Sequence, residues 1–414
     1  MSVIRTLPPL MRTLLFWVII AIIAGSLLGL VLPAWAIVPF ATFNAVFGEF
    51  LSFCVPLIIV GLVAPALADL GAGAGKWLLI TVGIAYGSTL FAGFATYGVC
   101  RAVFPSLLAN EKVSELTEPT SAVASVLGDN FEIPPMFSVM SALVLSFVLG
   151  IAIAALNPRI IRRGFDEFRD IIMVLIKRAI VPCLPLYIFG SFLNMAYTGE
   201  IAQVISAMVK VIVVSIILTF ALLIIQYVLA GLVAGCNPVR ALGRMLRAYF
   251  TALGTSSSAA TIPVTYECAL ANGVSRDIAG FTIPLCATIH LAGSMTKITA
   301  FSMAVLFMTG SSYDLGSYAL FIVMLGITMV AAPGVPGGAI TAAQGVLVGL
   351  LGFTDPMYSL MVALYIAIDS VGTATNVTGD GAIALVVNRL AAGSLGKERA
   401  RSLEAADDIL SGTD

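Results

Sequence analysis

The stretch from Ile368 to Asp380, Ile-Asp-Ser-Val-Gly-Thr-Ala-Thr-Asn-Val-Thr-Gly-Asp, places polar side chains inside an otherwise apolar segment, 357–388. Thr373, Asn376 and Asp380 follow Asp369 at offsets of 4, 7 and 11 residues. At about 3.6 residues per turn, this spacing predicts one polar helix face over roughly three turns. The segment is long enough to cross a bilayer, where a carboxylate costs about 3 kcal/mol or more. The polar face therefore predicts a ligand or ion site, with polar contact between helices as the alternative.

The composition is that of a polytopic membrane protein. Of the 414 residues, 60% are hydrophobic and only 10% are charged, and the mean hydropathy is +1.06. A net charge of −1 gives no basic surface for nucleic acid. The six cysteines form no CxxC pair and are expected to be buried thiols, and a single histidine argues against a His-based metal site. The apolar run 13–32 is too long for a typical signal-peptide core, so we predict a retained first span.

Ten apolar segments follow one another along the chain, at 13–32, 38–66, 77–104, 135–157, 171–197, 201–233, 248–275, 278–309, 317–353 and 357–388. Basic residues in short loops mark the cytoplasmic side of a membrane protein. Arg5 and Arg12 predict a cytoplasmic N-terminus, and Arg389 with the basic cluster 397–401 predicts a cytoplasmic C-terminus. The acidic stretch 111–132 is expected outside.

The charges at the segment ends conflict with a simple count of spans. Segment 248–275 begins and ends beside an arginine, so both of its ends are expected on the cytoplasmic side. Its middle, Gly254–Pro263, suits two half-helices that meet at an unwound tip. Segment 317–353, with Pro333–Gly338 at its centre, must then start and end outside. We predict two re-entrant hairpins of opposite orientation, each followed by a full span, which is typical of secondary transporters; ordinary kinked helices are the alternative.

These motifs resemble, in order and spacing, the dicarboxylate/amino acid:cation symporter family, which comprises the glutamate and neutral amino acid transporters. The likeness runs along the whole chain, nearer the neutral amino acid or serine/threonine branch, and is most specific from about 254 to 390. The Ser-rich run before Ile262 is similar to the family's first hairpin tip, Pro333–Gly338 to its second, and Asn376–Asp380 to its last-helix signature.

The resemblance implies an all-α polytopic fold with eight transmembrane helices and two re-entrant helical hairpins related as inverted repeats. It also implies a homotrimer in which each transport domain moves like an elevator. The division it implies is scaffold helices at 1–76, a transport-domain helix at 77–104, an extracellular loop and mostly scaffold helices at 105–233, a core transport domain at 234–391, and a cytoplasmic tail at 392–414.

The resemblance also implies a substrate site and two sodium sites. Asp369 matches the aspartate that pairs with the substrate's amino group, and Asn376 matches the asparagine that meets its carboxylate. The full set of implied substrate-binding residues is Ser257, Ser258, Ser294, Val335, Gly337, Asp369, Gly372, Thr373 and Asn376. One sodium site would comprise Asp380, Asn376 and carbonyls near Cys286 and His290. The other would use carbonyls of Thr288, Met329, Val330 and Ala332. Na⁺ is thus the expected coupling ion, with H⁺ as an alternative.

Two departures from the family pattern bear on the substrate. In members with acidic substrates, an arginine three residues after the aspartate binds the side-chain carboxylate of the substrate. In this chain the corresponding residue is Gly372. Other members carry that arginine on the first hairpin, where this chain has Ser256. A second substrate carboxylate would find no bidentate partner. We therefore expect a neutral amino acid, a bulky one in view of the space at Gly372, with Thr373 and Ser294 placed to bind a hydroxyl. A dicarboxylate is the alternative.

Another departure lies in segment 278–309, where the run 290–294 reads His-Leu-Ala-Gly-Ser instead of the family's Asn-Met-Asp-Gly-Thr. Ala292 replaces the aspartate that supports a third sodium site, so that site is expected to be absent or rebuilt. His290 would replace a sodium by carrying a proton or by acting as a fixed neutral ligand; a packing role is the alternative. Lys297 lies on the same face, where it pairs with a carboxylate or stands in for a bound cation.

Enzymes, channels and sensors are the competing classes. Two catalytic aspartates must lie within hydrogen-bonding distance to share a proton, whereas Asp369 and Asp380 are ~16 Å apart along one helix. A catalytic Ser–His pair could be formed by Ser257 or Ser258 with His290, but the sequence has no recognisable nucleophile elbow there. We therefore expect that the protein is not an enzyme. The sequence favours a multi-pass transporter of the cytoplasmic membrane, in contact with lipid, for an amino acid as its small-molecule substrate. An exchange-only or proton-coupled transporter, an ion channel and a non-transporting sensor are the alternatives.

Overall fold

The computed structural model describes residues 14–71, 76–111, 133–156, 158–199, 201–311, 314–330, 332 and 337–411, which form helices and no β-strand. In chain order the α-helices are α1 (Leu14–Gly29), α2 (Ala34–Gly71), α3 (Lys76–Leu107), α4 (Val139–Leu156), α5 (Arg159–Leu175), α6 (Val181–Tyr197), α7 (Ile201–Ala234), α8 (Pro238–Thr255), α9 (Ser258–Ala271), α10 (Arg276–Ile289), α11 (Ala292–Met308), α12 (Leu315–Val330), α13 (Gly338–Leu351), α14 (Asp355–Ala367) and α15 (Asp369–Ser411). One π-helical turn, Ile176–Ile180, joins α5 to α6.

By length and composition, five stretches within these described ranges can cross a membrane: Ala34–Pro65, Leu79–Leu107, Arg159–Tyr197, Ile201–Ala234 and Arg276–Met308. A sixth is obtained if α14 and α15 as far as Ala392 count as one bent span, and four shorter apolar helices accompany them. The predicted class, an all-α multi-pass membrane protein, is confirmed. The count of eight spans with two re-entrant hairpins stays a prediction, and Arg5, Arg12 and the stretch 112–132 used for the topology lie outside the described residues.

The first predicted hairpin is formed by α8 and α9, which pack against each other. Only Ser256 and Ser257 leave the helical conformation, whereas the sequence predicted an unwound tip over 254–263. Ser256 adopts a left-handed conformation with φ of 49°. The Ser257 hydroxyl then accepts a hydrogen bond from the Ala260 N–H at 3.3 Å. This N-cap satisfies a free donor of the first turn and lets α9 begin at once, so the predicted tip was too long.

The second hairpin is formed by α12 and α13, which also pack together. Helix α12 ends at Val330, and α13 begins after Gly337, whose φ of 75° suits glycine. The rest of the predicted tip, including Val335, lies outside the described residues.

In both segments predicted as full spans, 278–309 and 357–388, the helix is interrupted. The first breaks at His290 and Leu291, between α10 and α11. The second bends by 61° at Ile368, between α14 and α15. Side chains from other helices hydrogen-bond to the backbone at both breaks: the Leu291 N–H donates to the Thr89 hydroxyl at 3.3 Å, and Lys297 donates to the Ile368 carbonyl at 3.4 Å. The polar face of the opening stretch therefore begins a helix instead of lying in the middle of one.

Two apolar clusters form the core and meet around these breaks. One joins residues of α1–α7 and α11–α14, and the other joins residues of α3, α7–α10 and α15. Glycines allow the closest helix approaches: a Cβ atom at Gly25 of α1 would lie 2.7 Å from the Phe189 carbonyl oxygen of α6. A Cβ atom at Gly293 of α11 would lie 2.6 Å from the Gly372 carbonyl oxygen of α15. Small residues at such crossings are typical of packing between membrane helices.

Candidate functional site

Asp369 opens α15 at the bend and is the centre of the candidate substrate site. Its side chain is 11% exposed. The Oδ1 atom accepts a hydrogen bond from Lys297 Nζ at 3.3 Å, and Oδ2 accepts one from the Gly337 N–H at 2.9 Å. One carboxylate thus connects α15 to α11 and to the tip of the second hairpin.

Lys297 reaches this carboxylate from the middle of α11, and its side chain has no exposed surface. Its ammonium also donates to the carbonyls of Ile368 and Asp369, each at 3.4 Å. The Nζ atom lies 3.8 Å from the centroid of the Tyr365 ring, which adds a cation–π contact. Lys297 was predicted either to pair with a carboxylate or to stand in for a bound cation, and in the structure it pairs with the carboxylate of Asp369.

The space predicted beside Gly372 is filled. A Cβ atom at this position would lie 2.5 Å from Lys297 Nζ and closer still to Cε. The idea that Gly372 leaves room for a bulky substrate is therefore wrong. Glycine is required there because the buried lysine side chain crosses the helix at that point.

Asn376 and Ser294, both predicted to bind substrate, contact each other and are buried. Asn376 Oδ1 accepts from the Gly293 N–H at 2.8 Å and from the Ser294 N–H at 3.4 Å, and Nδ2 donates to the Ser294 hydroxyl at 3.2 Å. The Tyr365 hydroxyl donates to the same Ser294 oxygen at 3.1 Å. Asn376 thereby supplies partners for free N–H groups in the first turn of α11. Thr373 belongs to the same region, since its hydroxyl donates to the Asp369 carbonyl at 3.1 Å.

His290 and Asp380 form a second polar cluster, deeper along α15. Their side chains are 0% and 1% exposed, and His290 Nδ1 lies 2.9 Å from Asp380 Oδ1. On the other side of the ring, Nε2 lies 3.1 Å from the Ser88 hydroxyl and 3.3 Å from Gln226 Nε2. These contacts fit a neutral imidazole that donates from Nδ1 to the carboxylate and accepts at Nε2.

The first hairpin tip is not brought to Asp369 by any described contact. Ser257 and Ser258 are partly exposed, and the hydrogen bonds of Ser257 stay within the hairpin. Their predicted contact with substrate stays a prediction.

The two predicted sodium sites also stay predictions. For the first, Asp380 is in place and the Cys286 carbonyl accepts from the His290 N–H at 2.9 Å. For the second, α10 packs against α12, which puts Thr288 and Met329 on neighbouring helices. The Met329 carbonyl accepts from the Ala332 N–H at 2.9 Å; Val330 is the last residue of α12.

Three residues of the site were missed by the sequence analysis: Ser88, Gln226 and Tyr365. Gln226 carried a usable signal, because a side-chain amide in a span as apolar as α7 needs a buried partner. Ser88 and Tyr365 carried none, since single hydroxyls are common in membrane helices and their partners come from distant parts of the chain.

Comparison with known proteins finds one family model along most of the chain. It is that of the sodium:dicarboxylate symporter family, and it matches residues 14–390. A serine/threonine transporter of Streptococcus suis (strain 05ZYH33) is 28% identical over 332 residues, which are 78% of this chain and 91% of that protein. A serine/threonine transporter of Acinetobacter baumannii (strain AYE) is 27% identical over 378 residues, 88% of this chain and 93% of that protein. Excitatory amino acid transporter 1 of Rattus norvegicus is 29% identical over 290 residues, 67% of this chain and 52% of that protein.

Proposed function

Because the chain belongs to the sodium:dicarboxylate symporter family, a family of transporters and not of enzymes, we propose that it carries a neutral amino acid across the membrane in symport with sodium. The arrangement of Asp369 carries this proposal. Its buried carboxylate lies where α14, α15 and the tip of the second hairpin meet, and it is the complement of a substrate ammonium. Asn376 follows two turns later on the same helix, where an amide suits a substrate carboxylate.

The charges around Asp369 support a neutral side chain on the substrate. Lys297 is the cation that contacts this carboxylate among the described residues, and Asp369 balances its charge. A second substrate carboxylate would meet no arginine fork there, because Lys297 is a single ammonium that already donates to the carbonyls of Ile368 and Asp369 as well as to the carboxylate. The names of the two bacterial relatives, both serine/threonine transporters, support the same substrate class.

The surroundings of Asp380 support coupling to a hard cation. Gln226 Oε1 is a buried acceptor without a hydrogen-bond partner in the described part of the chain. It lies 2.7 Å from the position of a Cβ atom on Gly379, next to Asp380. Carboxylate and amide oxygens are the ligands that hard cations prefer. The family name points to sodium.

A second candidate, proton-coupled or exchange-only transport, is favoured by one contact. His290 Nδ1 donates to the same Asp380 carboxylate that a cation would use. An imidazole in that place supplies either a movable proton or a fixed neutral group.

The remaining parts of the proposal concern assembly and topology. We propose a homotrimer in the cytoplasmic membrane, both termini on the cytoplasmic side, and an elevator motion of the region 234–391. Contact with lipid is supported by the large apolar side chains exposed along α7, for example Ile217 at 61% and Leu232 at 76%.

The experiment is counterflow in proteoliposomes loaded with unlabelled amino acid. Labelled serine, threonine, alanine and aspartate are compared, with sodium and pH gradients varied independently. We expect serine, threonine or alanine to be taken up better than aspartate, and only with sodium. Asp369→Asn should abolish uptake, whereas the matched change Asp314→Asn, in an exposed turn, should leave it intact.

The dicarboxylate, proton-coupled, channel and sensor alternatives each have their own signature in this assay. Preferred uptake of aspartate would refute the neutral substrate. Uptake driven by a pH gradient without sodium, and lost in His290→Asn, would establish the proton-coupled candidate. Saturable accumulation against a gradient would exclude a channel or a sensor.

A further inference from the structure

Lys297 calls for an explanation that the proposed function does not give. A buried ion pair adds little to stability compared with apolar side chains of similar size, because both charges lose their hydration. An apolar residue at 297 would leave the Asp369 carboxylate buried and unpaired in the empty site. The lysine therefore holds the place that a substrate ammonium would take.

The geometry sets the lysine and a substrate ammonium against each other. Asp369 Oδ2 is held by the backbone N–H of Gly337 at 2.9 Å, so Oδ1 is the oxygen turned toward a cation. Lys297 Nζ lies 3.3 Å from that oxygen. Two ammonium groups on one buried oxygen would repel each other strongly at low dielectric. A substrate amino group can bind at full strength only if Lys297 withdraws from Oδ1.

Lys297 can withdraw from Oδ1 without leaving the pocket. An ammonium has three N–H donors, and Nζ has two further acceptors in the carbonyls of Ile368 and Asp369, each at 3.4 Å. The Tyr365 ring, with its centroid 3.8 Å away, stabilises the positive charge independently of the carboxylate. The side chain passes over Gly372, where no Cβ atom obstructs it. The lysine therefore keeps most of its partners when it gives up Oδ1.

We propose that Lys297 is a specificity-determining residue, a tethered ammonium that competes with the amino group of the substrate for Asp369 Oδ1. Ligands that lack an amino group do not compete with it. The site thus admits a ligand at Asp369 only if the ligand brings a cation of its own. This inference rests on the proposed function in one respect, that Asp369 binds the substrate's amino group.

The test measures the KM of labelled L-serine uptake into proteoliposomes at saturating sodium for the full-length protein and for Lys297→Met. Methionine has nearly the length of lysine and no charge. Removal of the competitor should lower KM by about tenfold or more, the equivalent of one hydrogen bond to a charged group. Inhibition by 3-hydroxypropionate, which is serine without its amino group, should change by less than about twofold. Lys210→Met is the matched control, because Lys210 is paired with Glu111 at 2.6 Å, away from the site, and its KM should equal that of the wild type.

A KM in Lys297→Met that is unchanged or raised would overturn the proposal, as would equal shifts for serine and 3-hydroxypropionate. If Lys297→Met does not fold, Lys297→Gln replaces it, since the amide can still donate to the two carbonyls, and the same outcomes apply. A failure of the proposed function gives different results. Either wild-type protein takes up no serine, or the Asp369→Asn variant still takes it up. Each of these results overturns the proposed function and the competition together. Serine uptake that depends on Asp369 but not on residue 297 overturns the competition alone.

Discussion

Gly372→Ala tests the structure of the site most directly. The new Cβ atom would lie 2.5 Å from Lys297 Nζ, whereas ordinary contact begins at 3.4 Å. The ammonium would have to retreat by about 0.9 Å from partners that are already at 3.3–3.4 Å, which breaks those hydrogen bonds. Overpacking of a core costs about 1–3 kcal/mol, and a weakened buried ion pair adds to this. Alanine recovers about 1 kcal/mol of helix propensity, so we expect a net loss of roughly 2 kcal/mol.

The assay is a double-mutant cycle read by thermal denaturation of the purified protein in detergent. Lys297→Ala removes the atoms that overlap the new Cβ, so Gly372→Ala should cost nothing, or stabilise, in that background. Gly87→Ala on α3 is the control, because no atom lies within 4 Å of its Cβ position, and it should not lower the melting temperature. A Gly372→Ala variant as stable as the wild type would refute the placement of Lys297, as would an equal loss in both backgrounds.

Three further predictions concern other contacts. His290→Asn removes the 2.9 Å contact with Asp380, so sodium-dependent uptake should fall by about tenfold or more; unchanged uptake would show that the imidazole only fills space. Gly293→Ala places a methyl group against the backbone of α15, 2.6 Å from a carbonyl oxygen, and should lower the melting temperature by the equivalent of about 1–3 kcal/mol. An unchanged melting temperature would show that α11 and α15 are further apart than in the structure. The hydrogen bond from Lys210 lowers the pKa of Glu111; a lowered carboxyl pKa stabilises the fold above its unfolded value, near pH 4, and this stabilisation is lost as pH falls through the folded pKa. Glu111→Gln should therefore flatten the melting temperature between pH 6 and about pH 3, and an unchanged slope would contradict the pairing.

Much of the architecture could be predicted from the sequence because it depends on local patterns. Apolar runs gave the helices, and the run of small and polar residues near Ser257 located the first hairpin turn to within a few residues. The spacing of Asp369, Asn376 and Asp380 correctly put them on one helix. These features depend on hydropathy and helical periodicity, both of which are properties of short stretches.

The partners of these residues could not be predicted, because they are set by packing between distant segments. Nothing near Gly372 shows that a lysine 75 residues earlier would cross it. The breaks at His290 and Ile368 were missed for the same reason. Neither lies at a proline, and at each break a side chain from another helix hydrogen-bonds to the backbone, Thr89 at Leu291 and Lys297 at Ile368.

The bend at Ile368 has an electrostatic consequence for the substrate. Helix α14 ends and α15 begins within two residues, so the negative end of one helix dipole faces the positive end of another. The field at such a junction is dipolar and carries almost no net charge. A zwitterionic substrate bound as proposed, with its amino group at Asp369, would place its positive charge beside the last carbonyls of α14 and add no net charge to the interior of the membrane. In that binding mode the bend favours the amino group that all amino acids share, and it leaves the choice among them to the side chains around Asp369.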